Sequence, residues 1–328
     1  MLSRRDSVKL VGAAGIAGLS SRFAPSRAAA VDAPTVKTPV SFAVPEGATD
    51  CHVHVIADPE KFPFWPGRGY TPPVATADEL LALQRALHMD HVVIVTPSVY
   101  GTDNSATLDG MRRLGPERAR GIAVIDDATS AEDLDAMAKA GVRGIRINLE
   151  QAGIFDPEAS AKKLETAVAR MGDRSWHLQM YTRPALVAAL RKQFEALPFP
   201  VVFDHFAGAD ASLGPGQPGF EAVLALVASG RAYVKMSGAY RASSAAPDYP
   251  DVAPLARALI AANPERLIWG SDWPHPDSAK VAGRKPTDIA PAQPIDDGRL
   301  LNLLAEWAPE AALRRAILVD NPRRLYGF

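Results

Sequence analysis

Cysteine is nearly absent: the 328-residue chain has one, Cys51. A lone thiol excludes an intrachain disulfide, so the fold needs no oxidising compartment, although it is compatible with one. Charge of one sign is missing too. The 36 Lys and Arg against 37 Asp and Glu leave a net charge of −1, and no basic run is interleaved with aromatics. Nucleic-acid binding, which requires a cationic face that displaces counterions, has no footprint. No segment is long and apolar enough to span a bilayer, and there is no internal repeat or low-complexity tract. What remains is 47% hydrophobic content over 328 residues, ample for a large buried core.

The N-terminus reads as an address rather than as structure. Ser3-Arg4-Arg5-Asp6-Ser7-Val8-Lys9-Leu10 precedes a weakly apolar run, Val11–Leu19, and then Arg27 and the small residues Ala28-Ala29-Ala30. A charged start, a short apolar stretch and an A-x-A end make an export signal, and the paired arginines give it a twin-arginine character. Ser7 stands where a bulky residue is usual. Residues 1–30 are therefore expected to be a signal peptide and 31–48 an extended Pro- and Thr-rich arm. Residues 49–328 then form one domain, working in the periplasm.

From Thr49 onward, short β-branched runs alternate with amphipathic stretches. Strands are predicted at Asp50–Val55, His91–Thr96, Ala119–Ile125, Gly144–Leu149, His177–Tyr181, Val201–His205, Ala232–Met236 and Leu267–Ser271. Helices are predicted at Ala77–Leu87, Ala131–Ala140, Ala159–Met171, Pro184–Ala196, Gly219–Ser229 and Val252–Ala262, with closing helices at Leu300–Ala305 and Ala311–Leu318. Strand–helix alternation repeated eight times is the pattern of an α/β fold, a single-domain (β/α)8 TIM barrel. Two long Pro-stiffened connections, Ile56–Thr76 and Pro274–Pro294, follow strand ends, the face where such barrels carry their active sites.

The first strand carries His52 and His54, two apart and so on one face, with Cys51 expected on the other. Two imidazoles in an apolar wall are costly unless a metal ion, an anionic oxygen or a reacting carbonyl uses them. Other strand ends add Ser98, Arg146 and Asn148, Tyr181, His205, Arg241, and then Asp272 and His275. Asp272 is the carboxylate placed to act as general base, and the histidines to donate to a carbonyl oxygen. Arg146 and Arg241 are planar donors suited to a carboxylate.

His-x-His on the first strand with Asp at the end of the eighth resembles the amidohydrolase superfamily. Asp50-Cys-His-Val-His54, Gly144-Ile-Arg-Ile-Asn148, Phe203-Asp-His205, Lys235-Met-Ser-Gly238 and Gly270-Ser-Asp-Trp-Pro-His275 are similar to its 2-pyrone-4,6-dicarboxylate lactonase branch. The resemblance implies Asp272, His52, His54 and His205 as catalytic residues. It implies Arg146, Arg241, Tyr181, Ser98, Tyr70, His275 and Asn148 as substrate contacts. The superfamily usually binds zinc, with a strand-five histidine among the ligands. Here that strand ends Gln179-Met180-Tyr181, and His177 lies deeper. No cofactor is therefore expected, the alternative being one zinc ion on His52, His54 and Asp272. The branch also carries arginines where this chain reads Leu149-Glu150-Gln151-Ala152 and Phe206-Ala207-Gly208. The expectation is a lactonase acting on a small carboxylated pyrone-, muconolactone- or sugar-acid-like lactone. A sugar-acid lactone isomerase, a zinc-dependent hydrolase or decarboxylase, and a non-enzymatic sugar-acid binder are the alternatives. Self-association is left open.

Overall fold

The computed structural model describes residues 36–279 and 281–328, so the signal-like residues 1–30 lie outside them. Eight strands are present: β1 Thr49–Val53, β2 His91–Val95, β3 Ala119–Ala123, β4 Val142–Asn148, β5 His177–Tyr181, β6 Val201–Phe203, β7 Ala232–Ser237 and β8 Leu267–Gly270. They pair in parallel in sequence order. Closure comes just beyond β8, where Asp272 N donates to His52 O and His54 N to Trp273 O, each at 2.8 Å. The buried Asp50 carboxylate adds a bond from Ser271 N at 2.9 Å. The result is the expected (β/α)8 barrel, its helices on the outside.

Strands with near-continuous apolar runs such as His91–Val95 are covered on both faces. One face meets the helices. The other forms an interior cluster that includes Cys51, Val93, Val95, Ile122, Val202, Tyr233 and Ile268, closed from below by Tyr326 of the terminal helix Asn321–Tyr326. Helix starts are set locally: Thr76 with Glu79 and Ser130 with Asp133 form reciprocal capping boxes. Residues 36–48 run along the closing helix Asp297–Trp307, where Thr38 Oγ1 donates to Asp296 Oδ2 at 2.6 Å.

Three details differ from the sequence reading. Between Asp50 and Val53, β1 advances three residues while β2 advances two, from Val92 to Ile94. This bulge turns Cys51 and His52 both inward, so the thiol does not face away from the histidines. The helix Ser105–Leu114 is not among the predicted ones, and it carries Gly110 in its middle. In the fold that glycine lets the helix lie close to the sheet: a Cβ there would stand 3.1 Å from Val55 and 3.3 Å from Ile94 side-chain atoms. The expected helix Pro184–Ala196 is two, Pro184–Ala189 and Arg191–Ala196, broken at Leu190.

Candidate active site

The C-terminal ends of the strands converge on Asp272. Its Oδ1 is buried and has no hydrogen-bond partner. It faces the Nε2 atoms of His52 at 3.7 Å, His54 at 3.7 Å and His205 at 3.9 Å. Its Oδ2 accepts from Tyr240 Oη at 2.6 Å and Arg241 Nε at 2.5 Å. Backbone strain gathers here. Among the described residues, His205, Phe206, Ala207, Asp272 and His275 have positive φ without being glycine. Gly238, φ +62°, makes the seat for His205: a Cβ there would lie 2.9 Å from its Nδ1.

Below this cluster sits a buried polar layer. Lys235 Nζ donates to Cys51 O at 2.9 Å and Gln179 Oε1 at 2.7 Å, and lies 3.3 Å from His52 Nδ1. Asp204 Oδ2 accepts from Arg146 Nε at 2.9 Å and Gln179 Nε2 at 3.1 Å. Burial drives the Lys235 ammonium down to about 8. Burial alone would raise both aspartates. Against it, the His52 ring, Arg146 and Lys235 hold Asp204 well below the usual carboxylate range, and Arg241 with the facing histidines does the same for Asp272. Desolvation lowers His54 and His205 to about 4 and His52 well below its ordinary value. At neutral pH, then, the carboxylates are ionised and these imidazoles neutral.

Tautomers follow from partners. His54 Nδ1 is 2.7 Å from Val95 O, which only accepts, so this nitrogen carries the proton and Nε2 presents a lone pair. His54 is therefore an acceptor here and not the carbonyl donor expected from sequence. His52 Nδ1 lies between Lys235 Nζ at 3.3 Å and Asp204 Oδ1 at 3.2 Å: accepting from the lysine leaves the ring proton on Nε2, and donating to the carboxylate leaves Nε2 with a lone pair. His205 Nδ1 lies 2.9 Å from Ser237 Oγ, which serves as donor or acceptor.

The expected residues gather around Asp272 except His275, and His54 differs from expectation in role. A small recess of about 20 Å³, room for about one water, is lined by Asp272, His54, His205, Arg146 and Arg241 with Tyr70, Ser98, Asn148 and Tyr181. Asn148 doubles as a helix cap, accepting from Gln151 N at 3.0 Å. His275 does not reach the recess. Fully buried, it pairs with Asp297 at 2.9 Å through Nε2 and lies 3.2 Å from Tyr240 Oη through Nδ1, so it positions Tyr240. Arg241 is shared, since its Nε already holds Asp272. Sequence reasoning left Asp204, Lys235, Gln179 and Tyr240 without roles. Lys235 carried a signal: a lysine inside an apolar strand, Ala232–Ser237, is costly to bury without partners.

The same atoms suit a cation. His52, His54 and Asp272, all buried, each offer one ligand atom, mutually within 4.8 Å, and a second group joins His52, Asp204 and His205. Two imidazoles and a carboxylate are a zinc-binding donor set, and His52 Nε2 and Asp272 Oδ1 are both unpartnered. His54 is oriented by its second nitrogen, as ligating histidines are. His177 is not available: it lies at the barrel floor against Tyr326, ring centroids 5.2 Å apart.

Comparison with known proteins places this arrangement. A family model described as amidohydrolase matches residues 49–328. A 4-sulfomuconolactone hydrolase of Rhizobium radiobacter is 36% identical over 294 residues, 88% of this chain and 93% of that protein. A 2-pyrone-4,6-dicarboxylate hydrolase of Comamonas testosteroni is 34% identical over 295 residues, 87% and 92% of the two chains. A D-galactarolactone isomerase of Agrobacterium fabrum is 30% identical over 295 residues, again 87% and 92%. With the barrel, the strand-end histidines and Asp272 in place, the chain belongs to the amidohydrolase family.

Proposed function

We propose that the protein hydrolyses the ester bond of a small lactone that carries a carboxylate. The observation that carries this reading is the unpartnered Asp272 Oδ1, with three imidazole nitrogens at 3.7, 3.7 and 3.9 Å and space for one water beside it. The names of the lactone-acting relatives support it. Water, oriented by the His54 Nε2 lone pair, gives a proton to Asp272 as its oxygen attacks the ring carbonyl carbon. With Lys235 donating to Nδ1 of His52 and Ser237 to Nδ1 of His205, both rings present Nε2–H groups to the carbonyl oxygen as charge develops there. The ring C–O bond breaks, and the proton held by Asp272 passes to the departing oxygen. Arg146 and Arg241 hold the substrate carboxylate. An anion on Arg241 also offsets the charge that depresses Asp272, making it a better base.

Replacing Asp272 by Asn keeps an acceptor for Tyr240 but removes the base. Turnover of a responsive lactone should fall by about 10²–10⁴ with little change in the thermal unfolding midpoint. Near-full activity in that variant would remove Asp272 from the role.

Two readings of the cofactor remain in competition. The sequence favours a centre without metal. The unpartnered His52 Nε2 and Asp272 Oδ1 favour an ion held by His52, His54 and Asp272. Such an ion would supply Lewis-acid polarisation of the carbonyl. Elemental analysis of protein purified without added metal, paired with assay before and after chelation, separates them. Activity that survives with no bound metal sustains the first, and stoichiometric zinc required for activity the second. The relationship to an isomerase favours testing, by NMR of products, whether the ring reopens to water or migrates to another hydroxyl. We also infer export to the periplasm from Arg4-Arg5 and Ala28-Ala29-Ala30, checked by cell fractionation of the full chain.

A further inference from the structure

Beside the recess, and sharing Tyr181, His205 and Arg241 with it, lies a second cavity of about 520 Å³. A recess with room for about one water holds the nucleophile but not a substrate. The larger cavity has the size of a small-molecule site. Its room comes from small residues after β6, Gly208 and Ala209, and from Ala242 and Ser243 after β7. Glycine at 208, φ +68°, is required by the fold, because a Cβ would strike the Thr182 carbonyl oxygen.

The wall decides what fits. Its carboxylates are Glu150, Asp210 and Asp251, and its guanidiniums are Arg183 and Arg241. Neither guanidinium is left for a second anion. Arg183 makes a two-point pair with Glu150, at 2.6 and 2.8 Å, and stacks on Phe155 with 4.1 Å to the ring centroid. Arg241 holds Asp272. Ser212, Ser243 and Ser244 add hydroxyls, two of them tied to acid oxygens: Ser212 to Asp210 at 2.7 Å and Ser243 to Asp251 at 2.5 Å. A second anionic group would meet three carboxylates, with Arg183 paired to Glu150 and Arg241 taken up by Asp272 and the first substrate carboxylate. An apolar tail would strand these polar groups. Neutral hydroxyls, which donate to carboxylates and accept from serines, satisfy both.

We propose that this cavity is a subsite for the uncharged, polyhydroxylated chain of a sugar-acid lactone, whose one carboxylate lies toward Arg146 and Arg241. The proposal rests on the lactone reading above and narrows it to a substrate class. Specificity then arises at the wall beyond β6 and β7 rather than at the Asp272 cluster.

The test compares two lactones that each carry one carboxylate: an aldaric-acid lactone with free hydroxyls, and muconolactone, which has none. Wild-type kcat/KM should favour the hydroxylated lactone by at least about tenfold, as for sites built to bond substrate hydroxyls. Ser244→Trp and, separately, Ser212→Trp, which fill the cavity from different sides, should lower that preference by about tenfold, mainly through KM for the hydroxylated lactone. An unaltered preference in both folded variants, or a wild type that prefers muconolactone, overturns the subsite. Binding of an open-chain aldonic acid, which has one carboxylate and free hydroxyls, is measured by calorimetry and separates the subsite from the chemistry. Binding weakened by Ser244→Trp in a protein that opens neither lactone would sink the hydrolytic reading and leave the subsite standing. Turnover of muconolactone with no binding of the polyhydroxy acid would do the reverse.

Discussion

Asp272 is held from three directions. Its amide bonds to His52 O at 2.8 Å, its Oδ2 receives Tyr240 and Arg241, and Tyr240 is in turn backed by His275 on Asp297. This chain leaves Oδ1 alone free to act. Tyr240→Phe removes one of the two donors to Oδ2 and leaves the Arg241 pair in place. It should lower kcat about tenfold, change KM little and move the acidic limb of the pH–rate profile upward, because a carboxylate stripped of a donor holds its proton more tightly. Pre-steady-state and steady-state assays from pH 9 down to the acid edge of the folded range check this. An unmoved acidic limb would mean that the hydroxyl only packs. At this scale the sequence was informative wherever a residue type was conspicuous: the histidines, Asp272 and the strand-end arginines. It was uninformative about Asp204 and Gln179, whose bonds run to other strands and have no local spacing to betray them, and it marked Lys235 only as a lysine in an apolar strand, without its partners. It misplaced His275, because proximity in sequence to Asp272 does not say which way a side chain turns.

At the scale of elements, the barrel is held between a functional mouth and a stoppered floor. The stopper is the helix Asn321–Tyr326. Asn321 Nδ2 donates to Pro264 O and Leu267 O, both at 2.8 Å, and Tyr326 fills the interior among Cys51, Val93, Ile122 and Ile268. Tyr326 is fully buried, yet its hydroxyl has no partner. The ring therefore stabilises and the hydroxyl does not. Tyr326→Ala should cost about 3–5 kcal/mol, as large-to-small aromatic changes do, while Tyr326→Phe should stay within about 1 kcal/mol of wild type. Urea unfolding of the three proteins measures both; a Phe variant as unstable as the Ala variant would show that the hydroxyl is bonded after all. The strand pattern was legible because each β-branched run is short and bounded. What escaped were features created by contact between elements: the β1 bulge that brings Cys51 inward, and the helix Ser105–Leu114, whose central Gly110 is there for close approach to Val55 and Ile94.

For the whole molecule, neutral histidines sealed in the barrel couple stability to pH. Burial lowers His177 from 6.5 to about 3 and His54 and His205 to about 4, and also depresses His52. Below pH 6.5 the unfolded chain protonates each of them, while the native protein does so only below its depressed value. The unfolded state thus binds more protons across that window, and stability falls as pH falls, by up to about 1.4 kcal/mol per unit for each histidine. Asp50 acts the other way. Burial raises it from 3.8 to about 6, so the native protein keeps a proton that the unfolded chain has lost, and stability falls as pH rises between those values. Four histidines outweigh one aspartate, so the net acid side is steep. His177 isolates the effect, because it lies at the floor, its Nε2 has no partner, and it takes no part in the chemistry at Asp272. With leucine there, the proton that the unfolded chain gains below 6.5 is gone. Between pH 7.5 and pH 5 the His177→Leu protein should therefore lose about 2 kcal/mol less stability than wild type. Urea midpoints at the two pH values provide the measurement. Equal losses in the two proteins would mean that His177 is already protonated in the native state and that the barrel floor is wetter than its packing implies.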